Sequence, residues 1–469
     1  MNTAEIGLIG LGVMGANLAL NIAEKGFRIA VYNRTWETTE KVLAKAGSLR
    51  EMIIACRTLA DLSAAIRPPR PVIILVKAGD PVDEQISGLR EVLASGDIII
   101  DAGNANFRDT MRRDKALGGS GLTFIGMGIS GGEEGARHGP SIMVGGTEIA
   151  YARVSHILTA ISAKYQQQPC CAWVGPGGAG HFVKMIHNGI EYADMQMIAE
   201  VYGMMRDGLR MSAPEMANVF ATWNTGKLNS YLIEITSRVL AAHDAESGGP
   251  LVDVILDKAG QKGTGKWSVI EAQELGVPAT TIEAAVAARI LSSLKDERTR
   301  AEKSFPATPH APFAASGTAM LQQLESALYA AKISAYAQGF AVFEQASAHH
   351  GWNLPLATIA GIWRAGCIIR SQFLDLIATA YRDNGGGNLL MAKDFAAMMQ
   401  ASEGALRKTV ADAAMAGLPV PALSASLAYF DSYRQARGTA NLIQAQRDFF
   451  GAHSFERTDK PGIHHGDWR

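Results

Sequence analysis

A short apolar stretch, Glu5-Ile6-Gly7-Leu8-Ile9, runs directly into the glycine-rich sequence Gly10-Leu11-Gly12-Val13-Met14-Gly15. The pattern predicts a β-strand, a tight turn and a helix from about residue 16 to 25, followed by a second strand over 28–32. Gly10 would permit the turn, Gly12 would let a pyrophosphate approach the backbone, and Gly15 would let the helix pack on the strand. We expect all six residues of the glycine loop to contact a dinucleotide. The alternative is a glycine-rich turn in some other βαβ unit.

The end of the second predicted strand determines which dinucleotide is expected. An acidic residue at this position would hold the ribose 2′-hydroxyl of NAD. This chain instead has Asn33-Arg34-Thr35, and a guanidinium and a hydroxyl suit a 2′-phosphate that no carboxylate repels. The sequence therefore predicts NADP as the cofactor.

Four further apolar runs extend the predicted sheet, at 72–76, 98–101, 123–125 and 141–144. Polar or glycine-rich turns are found at 77–79, 103–106 and 128–132, and any one of them could be an ordinary turn. Ligands of such sheets bind beyond the carboxyl ends of the strands. We therefore expect these turns to form a mouth for nicotinamide and substrate, with cofactor contacts from Val76, Lys77, Ala78 and Asn104.

The whole chain has 469 residues, of which 48% are hydrophobic, and a formal net charge of −1. The length is typical of about three domains, and the charge gives no field directed at nucleic acid or a membrane surface. The four cysteines have neither metal-site nor redox spacing, so we expect reduced thiols in a cytoplasmic protein. The amino terminus lacks the features of a signal peptide, and its glycines and asparagines argue against a membrane span.

A candidate catalytic segment runs from Lys184 to Tyr192. If it is helical, one face carries Lys184, His187, Asn188, Glu191 and Tyr192, because helix neighbours recur at i+3, i+4, i+7 and i+8. A base and an acid two turns apart, behind a dinucleotide-binding fold, form a proton-transfer pair. The alternative is a solvated stripe on an amphipathic helix.

Beyond the glycine-rich loop at 175–180, long helical patterns replace the strands and occur twice. Tyr192-Ala193-Asp194-Met195 is echoed by Tyr336-Ala337-Gln338-Gly339, and the stretch up to Trp223 and Gly226 by that up to Trp363 and Gly366. A period of about 140 residues predicts a duplicated helical bundle. Its second copy lacks Glu191 and Asn188, and we expect it to be a scaffold. The predicted breaks are 244–250, 305–313 and 383–387.

The fold class expected is therefore an α/β Rossmann-type domain followed by a large all-α domain with an internal duplication and a C-terminal tail. We place the NADP-binding domain at 1–178, the helical substrate and dimerisation domain at 179–440, and the tail at 441–469.

Residues 260–267, Gly-Gln-Lys-Gly-Thr-Gly-Lys-Trp, nearly match a phosphate-binding P-loop. Trp267 stands where a Ser or Thr would hold magnesium, which argues against a nucleoside triphosphatase. Lys262, Thr264 and the exposed amides still suit a phosphate monoester, and the alternative is a plain surface loop. Arg289 and Arg447 are possible partners for the same phosphate, although either alone would more often be a surface arginine.

Taken in order, these segments resemble the 6-phosphogluconate dehydrogenase family, in its bacterial form. The resemblance spans essentially the whole chain and is carried by 10–15, 33–35, 130–137, 184–192, 260–267, 289–298, 363–370 and 446–453. Two features depart from the family pattern: Gly12, where many members have Ala, and the Pro-rich segment 305–313.

The resemblance implies NADP-dependent oxidative decarboxylation of 6-phosphogluconate, in the pentose phosphate pathway. We expect no metal, since a charged lysine can do what a Lewis acid would. It implies that Lys184 is the base and Glu191 the acid. The implied substrate contacts are Asn104, Ser130, Gly131, Gly132, His187 and Asn188, with Tyr192, Lys262, Thr264 and Arg289 on the phosphate. In a homodimer, Arg447 and His453 would complete the neighbouring subunit's site.

Two other functions fit part of the pattern. A related β-hydroxy acid dehydrogenase acting on a small non-phosphorylated acid would share the glycine fingerprint and the lysine, but we expect it to lack the second helical copy and the phosphate loop. A non-enzymatic NADP-sensing or scaffold protein would retain the fold with an inactive site. The intact Lys184–Glu191 pair argues against that second alternative.

Overall fold

The computed structural model describes residues 3–306, 313 and 317–468. The first part of the described chain alternates strands and helices. The strands are β1 (Ile6–Ile9), β2 (Ile29–Tyr32), β3 (Ile53–Cys56), β4 (Pro71–Ile74), β5 (Ile98–Asp101), β6 (Thr123–Ser130), β7 (Ser141–Val144), β8 (Lys164–Tyr165), β9 (Gln168–Pro169) and β10 (Cys171–Trp173). The helices are α1 (Val13–Glu24), α2 (Trp36–Lys45), α3 (Leu59–Ala65), α4 (Asp80–Arg90), α5 (Phe107–Leu117), α6 (Gly132–His138) and α7 (Glu148–Ile161), with a 3-10 helix over Gly47–Met52.

Eight of these strands form one sheet in the order β10-β7-β6-β5-β4-β1-β2-β3, and β8 pairs with β9. Neighbouring strands of the sheet are parallel except for β6 and β7. In strands β1, β2, β4 and β5, residues on the two faces of the sheet enter two separate apolar clusters. The strand order reverses at β1, which opens a crevice between the carboxyl ends of β1 and β4. The predicted Rossmann-type fold is confirmed.

Two local predictions are wrong, and one strand was not predicted. Helix α1 begins at Val13 rather than near residue 16, so the glycine loop itself supplies the first helical amides. Strand β6 continues to Ser130, although the glycines at 126 and 128 favour a turn. Those glycines instead make room for neighbours, since a Cβ on Gly128 would lie 3.0 Å from Lys184 Cγ. The sequence pattern does not predict the short strand β3, whose central residues are only half-buried.

The rest of the described chain is mainly helical. The helices are α8 (Ala179–Gly203), α9 (Ala213–Trp223), α10 (Tyr231–Ala241), α11 (Leu251–Val254), α12 (Thr264–Glu274), α13 (Thr280–Ser293), α14 (Lys295–Ser304), α15 (Gly317–His350), α16 (Leu356–Ile362), α17 (Phe373–Asn384), α18 (Lys393–Met415), α19 (Pro421–Tyr433) and α20 (Ala440–Gly451). A π-helical turn (Met204–Gly208), a 3-10 helix (Leu389–Met391) and the hairpin strands β11 (Phe455–Glu456) and β12 (Ile463–His464) complete the elements. Across the described part of the chain, we find no helix with the length and apolarity that a membrane crossing requires.

The repeated sequence has a repeated structure, as predicted. The long helices α8 and α15 each lead to a shorter helix ending at or beside a tryptophan, Trp223 or Trp363, and then to α10 or α17. The two copies meet at equivalent positions, because Ser230 before α10 pairs with Ser371 before α17 in an antiparallel bridge. Of the predicted breaks, 244–250 lies between α10 and α11 and 383–387 spans the end of α17. Residues 307–312 of the third lie outside the described residues.

The C-terminal tail is organised around one carboxylate. Asp448 of α20 accepts hydrogen bonds from the backbone amides of Gly466 (2.9 Å) and Ser454 (2.8 Å), and its oxygens lie 2.8 Å from Trp468 Nε1 and from His465 Nδ1. These donors, the Gly466 amide foremost, hold the pKa of Asp448 far below its usual range. The outer surface of α20 exposes large apolar side chains, namely Leu442, Ile443, Phe449 and Phe450.

Candidate active site

The glycine loop lies at the crevice, between β1 and α1. A Cβ on Gly10, whose φ is +97°, would approach Val76 Cγ1 to 2.9 Å, and a Cβ on Gly15 would overlap the Gly10 carbonyl. Gly12 instead faces open space, with no atom within 4 Å of where its Cβ would be. The start of α1 has neither a side-chain cap nor an acidic residue in its first turn. Its amides are therefore available to an anion.

The three residues after β2 have different roles. Asn33 turns inward, since its Oδ1 accepts the Leu11 N–H at 3.0 Å and its Nδ2 donates to the Thr35 carbonyl at 3.0 Å. Arg34 and Thr35 are exposed, and within the described residues neither side chain has a hydrogen bond or an ion pair. Asn33 thus shapes the glycine loop, while the other two remain free to meet a ligand.

The loops after β4 and β5 flank the glycine loop. Val76 packs towards Gly10, and Lys77 and Asn104 are exposed beyond the strand ends. Ala78 is half-buried beside Lys77. Asn106 caps α5 by accepting the Arg108 N–H at 2.9 Å. The predicted mouth therefore contains side chains that face solvent at the edge where ligands of this fold bind.

Lys184 is held firmly on α8. The helix can approach the sheet because of glycines on both sides: a Cβ on Gly180 would lie 2.5 Å from the Gly145 nitrogen. The lysine is 6% exposed, and its Nζ donates to Asn188 Oδ1 at 2.8 Å and lies 3.4 Å from His187 Nδ1. Both its stem and its amine are thus fixed in one orientation.

His187 connects the lysine to the sheet. Its ring is fully buried, with Nε2 3.2 Å from Ser130 Oγ and Nδ1 3.1 Å from Asn188 Oδ1. Trp363 packs edge-on against it, with 5.2 Å between ring centroids. Burial, followed by the Lys184 charge, lowers the pKa of His187 well below its ordinary value. The imidazole is therefore neutral and can exchange hydrogen bonds without competing as a base.

Burial drives Lys184 and Glu191 towards their neutral forms. It lowers the pKa of Lys184, although the Glu191 charge opposes the shift. It raises the pKa of Glu191, whose side chain is 19% exposed, against the opposing charges of Lys184 and Arg289. A neutral amine can take a proton and a protonated carboxyl can give one. The arrangement is therefore suited to a reaction that needs a base and an acid in turn.

The second helical copy reaches this site, so the prediction that it is only a scaffold is incomplete. A Cβ on Gly131, whose φ is +110°, would lie 2.5 Å from the Gly366 carbonyl oxygen. Gly132 also has a positive φ, of +62°. Cys367 is fully buried, and burial raises the pKa of its thiol to about 12. The segment from Trp363 to Cys367 therefore forms part of the floor beneath 130–132 and Lys184.

Side chains predicted to hold a phosphate gather around Tyr192, which lies in the middle of α8 next to Glu191. The Arg289 guanidinium lies 3.7 Å from the centroid of the Tyr192 ring. Gly265 packs so closely that a Cβ there would be 2.5 Å from that ring, and Thr264 is buried beside it. Lys262 is exposed, without a hydrogen bond or an ion pair to other described residues. Three of the four predicted phosphate ligands thus lie in one place.

Arg447 and His453 lie in the exposed tail. Arg447 Nη1 donates to Gln444 Oε1 at 3.0 Å, and the His453 ring lies 6.0 Å from the Phe450 ring. These contacts are local to the tail, so within one chain these residues make no described contact with α8.

Sequence reasoning missed a buried ion pair between the two copies. Lys332 of α15 and Asp194 of α8 are 0% and 2% exposed, with Nζ 2.6 and 2.7 Å from the carboxylate oxygens. A lysine in an apolar repeat is the only local signal, and it names no partner. Separately, no group of three or more His, Cys, Asp or Glu side chains among the described residues is placed to hold a metal ion.

A Rossmann sheet with an uncapped glycine-loop helix, together with a buried amine and carboxyl on the adjoining helix, defines a dinucleotide-dependent dehydrogenase. The family model for the NAD binding domain of 6-phosphogluconate dehydrogenase matches residues 5–175. The model for the C-terminal domain of 6-phosphogluconate dehydrogenase matches residues 180–468. The chain belongs to the 6-phosphogluconate dehydrogenase family.

Individual relatives match over their full length. The NADP(+)-dependent decarboxylating enzyme of Bacillus subtilis is 48% identical over 100% of both chains, and its NAD(+)-dependent counterpart is 47% identical over 99% of both. The structure of 6-phosphogluconate dehydrogenase from Plasmodium falciparum has a TM-score of 0.96 at 45% identity, covering 99% of this chain and 100% of that one. Because the first two values are nearly equal, overall identity does not decide the cofactor.

Proposed function

We propose that this protein catalyses the NADP-dependent oxidative decarboxylation of 6-phosphogluconate to ribulose 5-phosphate and carbon dioxide. The observation that carries the proposal is the pair on α8, a buried amine and a largely buried carboxyl that are both biased to their neutral forms. The Plasmodium falciparum relative was solved with NADP+ and with 6-phosphogluconate. The related β-hydroxy acid dehydrogenase on another sugar acid remains the alternative that the assay below addresses.

In the proposed reaction, bound NADP supplies the hydride acceptor. Neutral Lys184 takes the proton from the C3 hydroxyl as C3 is oxidised. The resulting ammonium then donates a hydrogen bond to the C3 carbonyl, which accepts the electron pair as the carboxylate leaves as carbon dioxide. The ammonium proton passes to that oxygen and gives an enediol. Glu191 then delivers its proton to C1 while Lys184 takes the hydroxyl proton, and the two groups return to their neutral forms by proton exchange. His187 and Asn188 hold the lysine in place throughout.

For the cofactor, we assign the pyrophosphate to the loop Gly10–Gly15 and the start of α1. We assign the 2′-phosphate to Arg34 and Thr35, because their side chains are exposed and unengaged among the described residues, and we give Asn33 a positioning role. Val76, Lys77, Ala78 and Asn104 would border the nicotinamide end. This arrangement favours NADP over NAD.

For the substrate, we assign the sugar acid to Asn104, Ser130, Gly131, Gly132, His187 and Asn188. The phosphate is assigned to Tyr192, Lys262, Thr264 and Arg289, of which three already lie together. Two cationic side chains and the amides at the start of α12 match the charge of a phosphate monoester.

We further propose a homodimer in which Arg447 and His453 complete the neighbouring site. Supporting this, α20 exposes large apolar side chains of the kind that protein interfaces cover. The division at 1–178, 179–440 and 441–469 remains a proposal. So does a cytoplasmic location, with which the four free, buried cysteines agree.

The test is to incubate the purified protein with NADP and 6-phosphogluconate, without added metal, and to measure NADPH and carbon dioxide together. We expect equal amounts of both, and little NADPH when gluconate replaces its 6-phosphate. NADPH without carbon dioxide, or equal rates with gluconate, would contradict the proposal. Lys184→Met is the control that should bind NADP and remain inactive.

A further inference from the structure

A cluster of charged side chains connects α5, which follows the loop with Asn104, to α12, which follows the loop with Lys262. Arg108, in the first turn of α5, donates through Nε to Glu271 Oε1 at 2.6 Å and through Nη2 to Glu271 Oε2 at 2.9 Å. The same Nη2 lies 2.7 Å from Glu274 Oε2. Both glutamates lie near the end of α12. We call these three residues the Arg108 clamp.

The two sides of the clamp differ in burial. The Glu271 side chain is 3% exposed, whereas that of Arg108 is 53% exposed. A buried carboxylate needs a partner, since an uncompensated buried charge is strongly destabilising. A two-pronged guanidinium contact also fixes orientation, which a lysine would not reproduce. The clamp therefore holds the end of α12 at a defined place relative to α5.

Each helix of the clamp carries residues of the proposed site. On the α5 side, the Arg108 amide is held by Asn106, and Asn104 lies two residues before that cap. On the α12 side, the helix begins at Thr264 and is fixed to α8 by Ser268, whose Oγ donates to the Met185 carbonyl at 2.7 Å. The start of α12 thus rests on the catalytic helix, and its end rests on α5.

We propose that Arg108 is a positioning residue that sets the spacing between the loop for the sugar acid and the loop for the phosphate. It thereby selects for the length of the phosphorylated acid. This inference rests on the proposed function, because it assigns Asn104 to one end of the substrate and Lys262 and Thr264 to the other. Arg108 itself need not touch the substrate.

The test compares Arg108→Met, Arg108→Lys and Glu271→Gln with a matched control, Arg112→Met. Arg112 is also an exposed arginine of α5, but its partners are Asp83 and Asp109 rather than residues of α12. We expect Arg108→Met to raise KM for 6-phosphogluconate about tenfold while kcat and KM for NADP change less than about twofold. Its preference for 6-phosphogluconate over a five-carbon phosphorylated acid should fall. Arg108→Lys should restore only part of the loss.

Hydrogen exchange of residues 258–264, measured without substrate, supplies a readout independent of activity. We expect faster exchange in Arg108→Met than in Arg112→Met. Equal KM values and equal exchange in the two variants would overturn the proposal. A fall in kcat as large as the rise in KM would also overturn it, because it would indicate a general structural role; some loss of thermal stability is expected in any case, since Glu271 loses its partner. A wild-type protein inactive on 6-phosphogluconate would contradict the proposed function, and the exchange comparison would still decide whether the clamp positions the phosphate loop.

Discussion

The neutral state of Lys184 depends on its own burial and on its neighbour. Desolvation disfavours the ammonium, while the negative charge of Glu191 favours it. The reverse holds for Glu191, where burial raises the pKa and the Lys184 charge lowers it. Each group therefore sets part of the other's pKa, and a change in one should be visible in the titration of the other.

Glu191→Gln should shift the pH dependence of hydride transfer. The variant loses the charge that raises the pKa of Lys184, so the neutral base should form at lower pH. Because Lys184 must be neutral to act, the ascending limb of the rate should move to lower pH. The measurement is the first turnover of NADPH formation, since Glu191 acts after it in our scheme. An ascending limb that stays in place or moves to higher pH would contradict the coupling.

Arg34→Ala should weaken NADP binding selectively. The guanidinium is exposed beyond β2 and has no described partner, so its loss removes a contact to the 2′-phosphate without disturbing the fold. We expect KM for NADP to rise about tenfold to a hundredfold, as for a lost charge-assisted hydrogen bond, with KM for NAD almost unchanged. Arg34→Lys should lie between. Equal losses for both cofactors would contradict the assignment.

Asn33, next to Arg34, shows which part of the cofactor site the sequence could not predict. The absence of an acid after β2 is visible in the sequence, and it led directly to Arg34 and Thr35. The sequence does not show that Asn33 turns back to the Leu11 amide. An asparagine can bond to a ligand or to its own backbone, and only the path of the glycine loop decides between them.

Between elements, Glu200 connects α8, the helix that carries the candidate pair Lys184 and Glu191, to α19. Its carboxylate accepts the amides of Ala422 (2.8 Å) and Leu423 (2.9 Å), and Gln196 Nε2 donates to it at 3.0 Å. Burial nevertheless dominates and raises the pKa of Glu200 to about 7. The folded protein therefore binds this proton more tightly than the unfolded chain does.

This shift makes stability depend on pH. The unfolded value is 4.5 and the folded value is about 7, so the stability contributed by the protonated carboxyl is lost as pH rises between them, by roughly 3 kcal/mol at most. Glu200→Gln cannot ionise and should not show this loss. We expect Tm of the variant minus Tm of the wild type to increase from pH 5 to pH 8. A constant difference across that range would exclude the effect.

The sequence predicts an element correctly when the packing of that element is visible in its own residue pattern. Strands β1, β2, β4 and β5 are continuous apolar runs, and the pattern alone predicts them. The predicted strand at 123–125 is shorter than β6, because Gly126 and Gly128 resemble turn residues. They are glycines because Thr110, His181 and Lys184 approach the strand from other elements, and such a close approach has no local signature.

For the assembled molecule, subunit mixing tests the proposed dimer. Lys184→Met and Arg447→Ala should each be poorly active alone. If Arg447 serves the partner's site, a mixed dimer contains one site with both residues intact, so mixing should restore up to about half of the wild-type activity per mixed dimer. The measurement is NADPH formation after the two variants are unfolded and refolded together. If mixed dimers form but NADPH formation does not recover, Arg447 does not serve the partner's site.

At this scale the sequence predicted the Rossmann sheet, the duplication and the helical form of residues 184–192. It did not predict that Trp363 packs on His187, or that Arg108 reaches Glu271 across 163 residues. Composition and periodicity describe each element separately. Contacts between distant segments depend on how the two helical copies and the sheet are placed together.

The duplication shows why the second helical copy carries no acid–base pair of its own at the equivalent positions. In the register that sets Tyr336 beside Tyr192, the counterparts of Lys184, His187 and Glu191 are Leu328, Ala331 and Ala335, all buried. Ala331, Ala335 and Gly339 are small residues that suit the close packing of α15 and α8, where a Cβ on Gly339 would lie 2.5 Å from Ile190. Polar side chains at positions 328, 331 and 335 would be buried without partners and would disrupt the packing of α15 on α8. The packing therefore favours one candidate site per chain, formed on α8, with α15 covering the apolar side of that helix.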